Sequence, residues 1–260
     1  MNEFFRPPQV GRRAFKVWQR NRDAWLKFYK ASLVGNLAEP ILFLLAFGLG
    51  LGRFVRNVGG VPYIKFIAPG LVISAAMNPA SFECTFGSFT RMSTQKSYDA
   101  IIVTPVNIDE VAAGDILWGA TKGFISAIIM LPVLAAFGLM DSPWLILSPI
   151  LYLLMSLMFA SMALIVTAFV PSYDYYAYYF SLVISPMFFF SGIFFPLSTL
   201  PGWVMNVAWF TPLIHAVNVS RALATGHFYA GLVVDTLWMV VFTLICSWTA
   251  IKFIRRRLIK

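Results

Sequence analysis

Residues 142–173 read SPWLILSPILYLLMSLMFASMALIVTAFVPSY, a run without a single Asp, Glu, Lys or Arg. About 20 apolar residues carry a helix through the hydrocarbon core of a bilayer, so this stretch can cross it with residues to spare before Pro171 closes it. The rest of the chain agrees: of 260 residues, 59% are apolar and 12% charged, and mean hydropathy is +0.76. Soluble domains are about 45–50% apolar and about 25% charged. The reading is an all-α integral membrane protein, and its length leaves no room for a fused ATPase beside the apolar stretches.

Working outward from that run, other uncharged stretches give a first span over 33–52, a second over 63–89, a third over 116–140 and a last over 231–251. Residues 175–220 also lack charge and would measure about 69 Å as one helix at 1.5 Å per residue. That is too long for one crossing. Two crossings there would place the basic residues at 252–260 opposite the basic N-terminal cluster, against the positive-inside tendency. One crossing followed by a re-entrant piece is expected, broken by Pro186, Gly192, Pro196, Pro201, Gly202 and Pro212. The expected architecture is a single domain over 1–260. An amphipathic interface helix falls in 1–31 and six transmembrane helices in 32–254. A coupling loop covers 90–109, a re-entrant hairpin between helices five and six covers 197–221, and a basic tail covers 255–260.

The net charge of +9 is unevenly placed. Arg6, Arg12, Arg13, Lys16, Arg20, Arg22, Lys27 and Lys30 precede the first span, and Lys252, Arg255, Arg256, Arg257 and Lys260 follow the last. Both termini are therefore expected in the cytoplasm, with anionic lipid rather than nucleic acid as the nearer partner. Trp18, Trp25 and Tyr29 alternate with basic residues, as suits a helix lying in the inner interface. The first 30 residues lack a secretory leader pattern, so the first span is expected to serve as an uncleaved signal.

Catalytic chemistry is sparse. Cys84 and Cys246 have no ligand spacing, and His215 and His227, twelve residues apart, read as packing or interface residues. No metal or cofactor is expected on the chain. Gly114-Asp115-Ile116-Leu117-Trp118-Gly119 continues with Ala120-Thr121 where a P-loop needs Lys-Ser/Thr, so any ATP hydrolysis belongs to another subunit. Glu83 and Lys122 fall inside spans two and three and are candidates for an intramembrane ion pair. Glu39 and Asp235 are expected at interfaces. Tyr173, Tyr175, Tyr176, Tyr178 and Tyr179 read either as an aromatic belt or as a stacking surface for a sugar or amphiphile. A short helix is expected over 88–102, ended by Pro105.

Gly35-Asn36-Leu37-Ala38-Glu39-Pro40, Gly60-Val61-Pro62-Tyr63-Ile64, Ala80-Ser81-Phe82-Glu83 and Phe89-Thr90-Arg91-Met92 stand in this order along the chain. They are followed by Pro171-Ser172-Tyr173-Asp174, Tyr178-Tyr179-Phe180 and Ser191-Gly192-Ile193-Phe194-Phe195-Pro196 through Leu200-Pro201. Over nearly the whole length this resembles the membrane subunits of type-2 ABC exporters, nearest the nodulation protein J branch associated with lipo-oligosaccharide export. The resemblance implies a permease of the bacterial inner membrane, working as two copies with two cytoplasmic P-loop ATPase subunits that carry ATP and Mg. It also implies a coupling helix, here Met92, Ser93, Thr94, Gln95, Lys96, Ser97, Tyr98, Asp99 and Ile101. A pathway lined by spans two and five would then present Ser74, Met77, Asn78, Ser81, Phe82 and Glu83 opposite Tyr175, Tyr178, Tyr179 and Phe189. Such a wall suits an amphipathic cargo. A drug exporter of the same architecture, a membrane-embedded transferase and a passive scaffold remain open readings.

Overall fold

The computed structural model describes residues 6–55, 57–140 and 142–259, without the side chain of Ile102. Lys260 of the expected tail and Asp141 of the expected turn before span four lie outside the described residues.

Helix α1 (Ala14–Trp25) buries Ala14, Val17, Asn21 and Trp25, the spacing of one helical face, and lays that face on α5. Helix α2 (Tyr29–Phe43) runs on through a widened turn, Leu44–Gly50, and a tight one, Leu51–Arg53. Strands β1 (Asn57–Val58) and β2 (Val61–Pro62) form a two-residue hairpin. Its turn places Gly59 and Gly60 at φ of 60° and 85°, where a side chain would be strained.

Helix α3 (Tyr63–Phe82) continues without a break through two more widened turns, Glu83–Gly87 and Thr90–Thr94. After a reversal comes α4 (Ser97–Ile102), then α5 (Ile108–Ala136). A reciprocal cap starts α5: Asn107 Oδ1 accepts from the Glu110 amide at 2.8 Å and Glu110 Oε2 from the Asn107 amide at 3.0 Å. A turn over Pro143–Leu147 leads into α6 (Ser148–Phe169). Helices α7 (Tyr176–Tyr179) and α8 (Ser185–Phe189) join through the widened turn Phe180–Ile184. Helices α9 (Gly202–Trp209) and α10 (Pro212–Thr225) make a hairpin, and α11 (Gly231–Leu258) completes the bundle.

The core is the α3–α5–α6 triangle, against which α11 and α10 pack. Glycines make it close. A Cβ on Gly123 would stand 2.4 Å from the Ala76 carbonyl and 2.7 Å from Ser156 Oγ, and one on Gly119 would stand 2.5 Å from Cys84 Sγ.

Among the described residues, four helices are long and apolar enough to cross a membrane: Tyr29–Arg53, Ile108–Ala136, Pro143–Phe169 and Gly231–Leu258. The other two expected crossings differ from these for separate reasons. α3 is enclosed by protein along most of its length, so packing rather than lipid sets its composition, and Pro69, Gly70, Ser74, Pro79 and Ser81 dilute its apolar character. The helical run over 173–189 is only about 25 Å long at 1.5 Å per residue, and it stops short of Gly192, whose φ is 80°.

Two local expectations need correction. The helix expected over 88–102 is two pieces, because Lys96 adopts a left-handed φ of 49° and ends the line of α3. Residues 255–258 are not a free tail: they finish α11, with Arg255 buried. The α9–α10 hairpin is held through α10, which buries Leu213, His215, Ala216 and Val217 against α3, α6 and α11.

Candidate functional site

One end of the bundle gathers the N-terminal segment, α4, the end of α3 and the end of α11, and polar side chains converge there. The widened turn Glu83–Gly87 sets Glu83 toward α5. Gly87 leaves it room, since a Cβ there would lie 2.6 Å from Glu83 Oε1. Lys122 Nζ donates to Glu83 Oε2 at 2.8 Å, and Arg91 Nη1 to Glu83 Oε1 at 2.5 Å.

Arg91 also faces Asp115, with Nη2 at 3.2 Å from Oδ2. Around the fully buried Asp115 carboxylate, Asn21 Nδ2 donates to Oδ1 at 2.7 Å, Ser88 Oγ donates to Oδ2 at 2.9 Å, and the Tyr98 hydroxyl donates to Oδ2. Burial and the neighbouring carboxylate push the Tyr98 phenol well above its ordinary range, so it stays a donor. The cluster ties α1, α3, α4 and α5 into one unit. Every charge is matched, which suits fixed geometry rather than proton transfer. Among the described residues no group of His, Cys, Asp and Glu could hold a metal ion.

The residues expected on the coupling helix separate in this setting. Ser93, Thr94, Gln95, Lys96 and Asp99 are exposed, Ser97 and Ile101 are half-buried, and Met92 and Tyr98 are buried inside the chain. Met92 and Tyr98 therefore anchor the segment, and the surface a partner could touch is the reversal itself with one face of α4.

The residues expected along a pathway separate in the same way. Ser74, Met77, Ser81 and Tyr179 are buried in the chain's own interior, because α3 is wrapped on most sides. They line no open wall in this chain. Asn78 is half-buried, its Nδ2 donating to Glu39 Oε2 at 3.2 Å. Phe82, Tyr175, Tyr178 and Phe189 are exposed. An aromatic ladder holds α3 against the 173–184 segment. The Phe82 and Phe180 rings stack at 4.4 Å, Phe86 lies 4.9 Å from Tyr176, and the Tyr173 hydroxyl sits 2.8 Å from Thr90 Oγ1.

Sequence reasoning missed two further junctions. At the first, Asp109 Oδ1 accepts from Arg255 Nε at 2.7 Å, Asp109 Oδ2 accepts from the Gln9 amide at 2.7 Å, and Arg255 Nη1 donates to the Arg6 carbonyl at 3.0 Å. Arg257 Nη1 donates to the Val170 carbonyl at 2.7 Å, tying off the end of α6. At the far end of the bundle His215 lies between Asp235 Oδ1, at 2.6 Å from Nδ1, and the Trp209 carbonyl, at 2.8 Å from Nε2. Asp235 is thus buried against α10. Helical spacing was the available signal for the first cluster: Asp115 and Lys122 stand seven residues apart, two turns along one face of α5.

Comparison with known proteins places this geometry in context. The sequence profile of the ABC-2 type transporter family matches residues 13–225. Nodulation protein J of Rhizobium meliloti (strain 1021) is 37% identical over 253 residues, covering 96% of each chain. Nodulation protein J of Rhizobium leguminosarum bv. trifolii is 36% identical, over 94% of this chain and 93% of that protein. The inner membrane transport permease YadH of Escherichia coli (strain K12) is 22% identical, over 91% and 93%.

Proposed function

The chain belongs to the ABC-2 type transporter family, a multi-pass membrane permease, and from that premise we propose that it is the membrane subunit of an ATP-driven exporter of an amphipathic molecule. The cargo class is a lipo-oligosaccharide, a glycolipid or a molecule of similar build. Two copies work with two separate P-loop ATPase subunits, which bind the ATP and Mg. The protein sits in the bacterial inner membrane with six crossings, α3 and the 173–189 run included, and with the α9–α10 hairpin re-entering at the outer face. The end carrying the N-terminal segment, α4 and the end of α11 is cytoplasmic.

The observation that carries this reading is a set of exposed aromatic side chains, Phe82, Tyr175, Tyr178 and Phe189. It combines ring faces with hydroxyl tips on a molecule whose interior is otherwise closed. A second copy set against it encloses a wall suited to a chain plus a hydroxyl-rich head, and poorly suited to a simple ion. The exposed Ser93, Thr94, Gln95, Lys96 and Asp99 meet the ATPase, while Tyr98 and Met92 pass its movement into the buried cluster.

Affinity purification from native membranes is expected to bring down a P-loop ATPase. In the reconstituted complex, Tyr175→Ala with Tyr178→Ala lowers cargo-stimulated hydrolysis and leaves basal hydrolysis intact. Full stimulation in that variant would remove these aromatic side chains from the pathway, and purification without any ATPase would remove the exporter reading.

A further inference from the structure

Glu39 lies well inside the apolar helix Tyr29–Arg53, about 15 Å from its start at 1.5 Å per residue, and it is exposed on this chain. Among the described residues its carboxylate takes one hydrogen bond, from Asn78 Nδ2 of α3 at 3.2 Å, and forms no ion pair. Oε1 is left to accept elsewhere, and so is Oδ1 of the half-buried Asn78.

An ionisable group at this depth is costly against lipid and faces protein or a water-filled path. A second copy is a poor source of a counter-charge. Neither Lys nor Arg occurs between Lys30 and Arg53, between Lys65 and Arg91, or in the 173–189 run. The surfaces of α2, α3 and that run therefore bring no cation to this depth when another copy of the chain lies against them.

The surroundings select the kind of molecule. Phe43, one turn on from Glu39, meets Phe188 with ring centroids 5.6 Å apart, and Phe82, one turn on from Asn78, stacks on Phe180 at 4.4 Å. The polar pair thus sits along the seam that α2 and α3 make with the 173–189 run, with an aromatic contact to either side. Phe82 is 48% exposed there. Two oxygen acceptors beside an open ring match a head that carries O–H donors on an apolar frame.

We propose that Glu39 and Asn78 form a contact for the hydroxyl-rich head of the transported amphiphile, Glu39 Oε1 and Asn78 Oδ1 accepting from its hydroxyls while its chain lies against Phe82. The proposal rests on the exporter reading and adds to it an acceptor site reached from α2.

The test labels cysteines in membranes broken open so that a charged methanethiosulfonate reaches both faces. Leu42→Cys is the reporter, one turn from Glu39 along α2 and 63% exposed, and Leu244→Cys, 65% exposed midway along α11, is the control. The unmodified chain, whose Cys84 and Cys246 are buried, gives the blank. Leu42→Cys is expected to react and Leu244→Cys to stay unmodified. Octyl glucoside, below its micellar concentration, slows the reaction at Leu42→Cys, and octyl sulfate, of the same chain length but without a donor, does not. Glu39→Gln in the reporter background keeps the shape and removes the charge. It weakens the protection about tenfold or more, as loss of a hydrogen bond to a charged group does.

No reaction at Leu42→Cys would put the pair against lipid or protein and overturn the proposal. Equal protection by the two amphiphiles, or protection unchanged in Glu39→Gln, would overturn it as well, because the chain alone would then be binding. A near-complete disulfide between copies through Leu42→Cys on oxidation would do the same, since thiols that close leave no room for a head. The labelling needs no ATPase, so its failure is separate from that of the exporter reading. An ATPase that co-purifies beside an unprotected reporter keeps the exporter and removes this site.

Discussion

Asp115 concentrates Asn21, Ser88, Arg91 and Tyr98 on one buried carboxylate. Its removal leaves Arg91 with half of its counter-charge in a closed setting. Asp115→Asn is therefore expected to cost about 3–5 kcal/mol, read as a lowered unfolding temperature in detergent. Tyr98→Phe, which deletes one bond to a charged group, should cost about 1.5–3 kcal/mol. Lys122 and Arg91 separate in the same measurement. Lys122→Met leaves Glu83 held by Arg91, whereas Arg91→Met takes one of the two cations from Glu83 and also the guanidinium facing Asp115, so the arginine change must be the worse of the two. Equal losses would mean that the carboxylates do not share Arg91. Glu83 and Lys122 were legible in the sequence because an ionisable residue inside an apolar run stands out. Asp115 is not legible in this way, since the glycines of Gly114–Gly119 draw attention to a nucleotide loop that the sequence does not complete, and Arg91 stands at the start of the expected 90–109 loop.

Among the elements, the contrast between α4 and α5 is the most informative. Ser97 is the first residue of α4, a position that tolerates proline. The amide of Ala100 donates to the Lys96 carbonyl at 3.3 Å, so Ala100→Pro is the substitution that breaks α4, at about 3 kcal/mol. It should lower association with the ATPase, measured by co-purification, while the membrane body stays folded. Along α5, Gly119 and Gly123 touch α3 and α6 with no room for a methyl, the small-residue contact that lets membrane helices approach closely. Gly123→Ala is expected to destabilise the bundle by about 1–3 kcal/mol through overpacking, again read by thermal unfolding. The pattern of apolar runs located α2, α5, α6 and α11, because lipid on one side imposes an uninterrupted apolar composition. It located α3 as well, whose first residue is that of the span expected over 63–89, although neighbours rather than lipid surround that helix. The kink at Lys96 was illegible because a lysine at positive φ carries no local signature.

At the scale of the whole molecule, the two ends of the bundle differ in kind: one collects the ionic clusters, the other the β1–β2 turn and the α9–α10 hairpin. Ser93 and Ser198 are exposed at positions the proposed topology puts on opposite sides. With the buried Cys84 and Cys246 as background, Ser198→Cys should react with an impermeant maleimide on intact spheroplasts, and Ser93→Cys only after they are opened. The reverse order would invert the molecule. The clasp on Asp109 adds a condition of timing. Arg255 stands 249 residues beyond Arg6, whose carbonyl it binds, and the carboxylate that Arg255 shares with the Gln9 amide belongs to neither end. A ribosome delivers these pieces far apart in time, so the leading segment has no guanidinium to close on until α11 has been made and inserted. Closure of that clasp thus reports a finished bundle, and a chain cut short before Arg255 would carry its leading segment open to proteases.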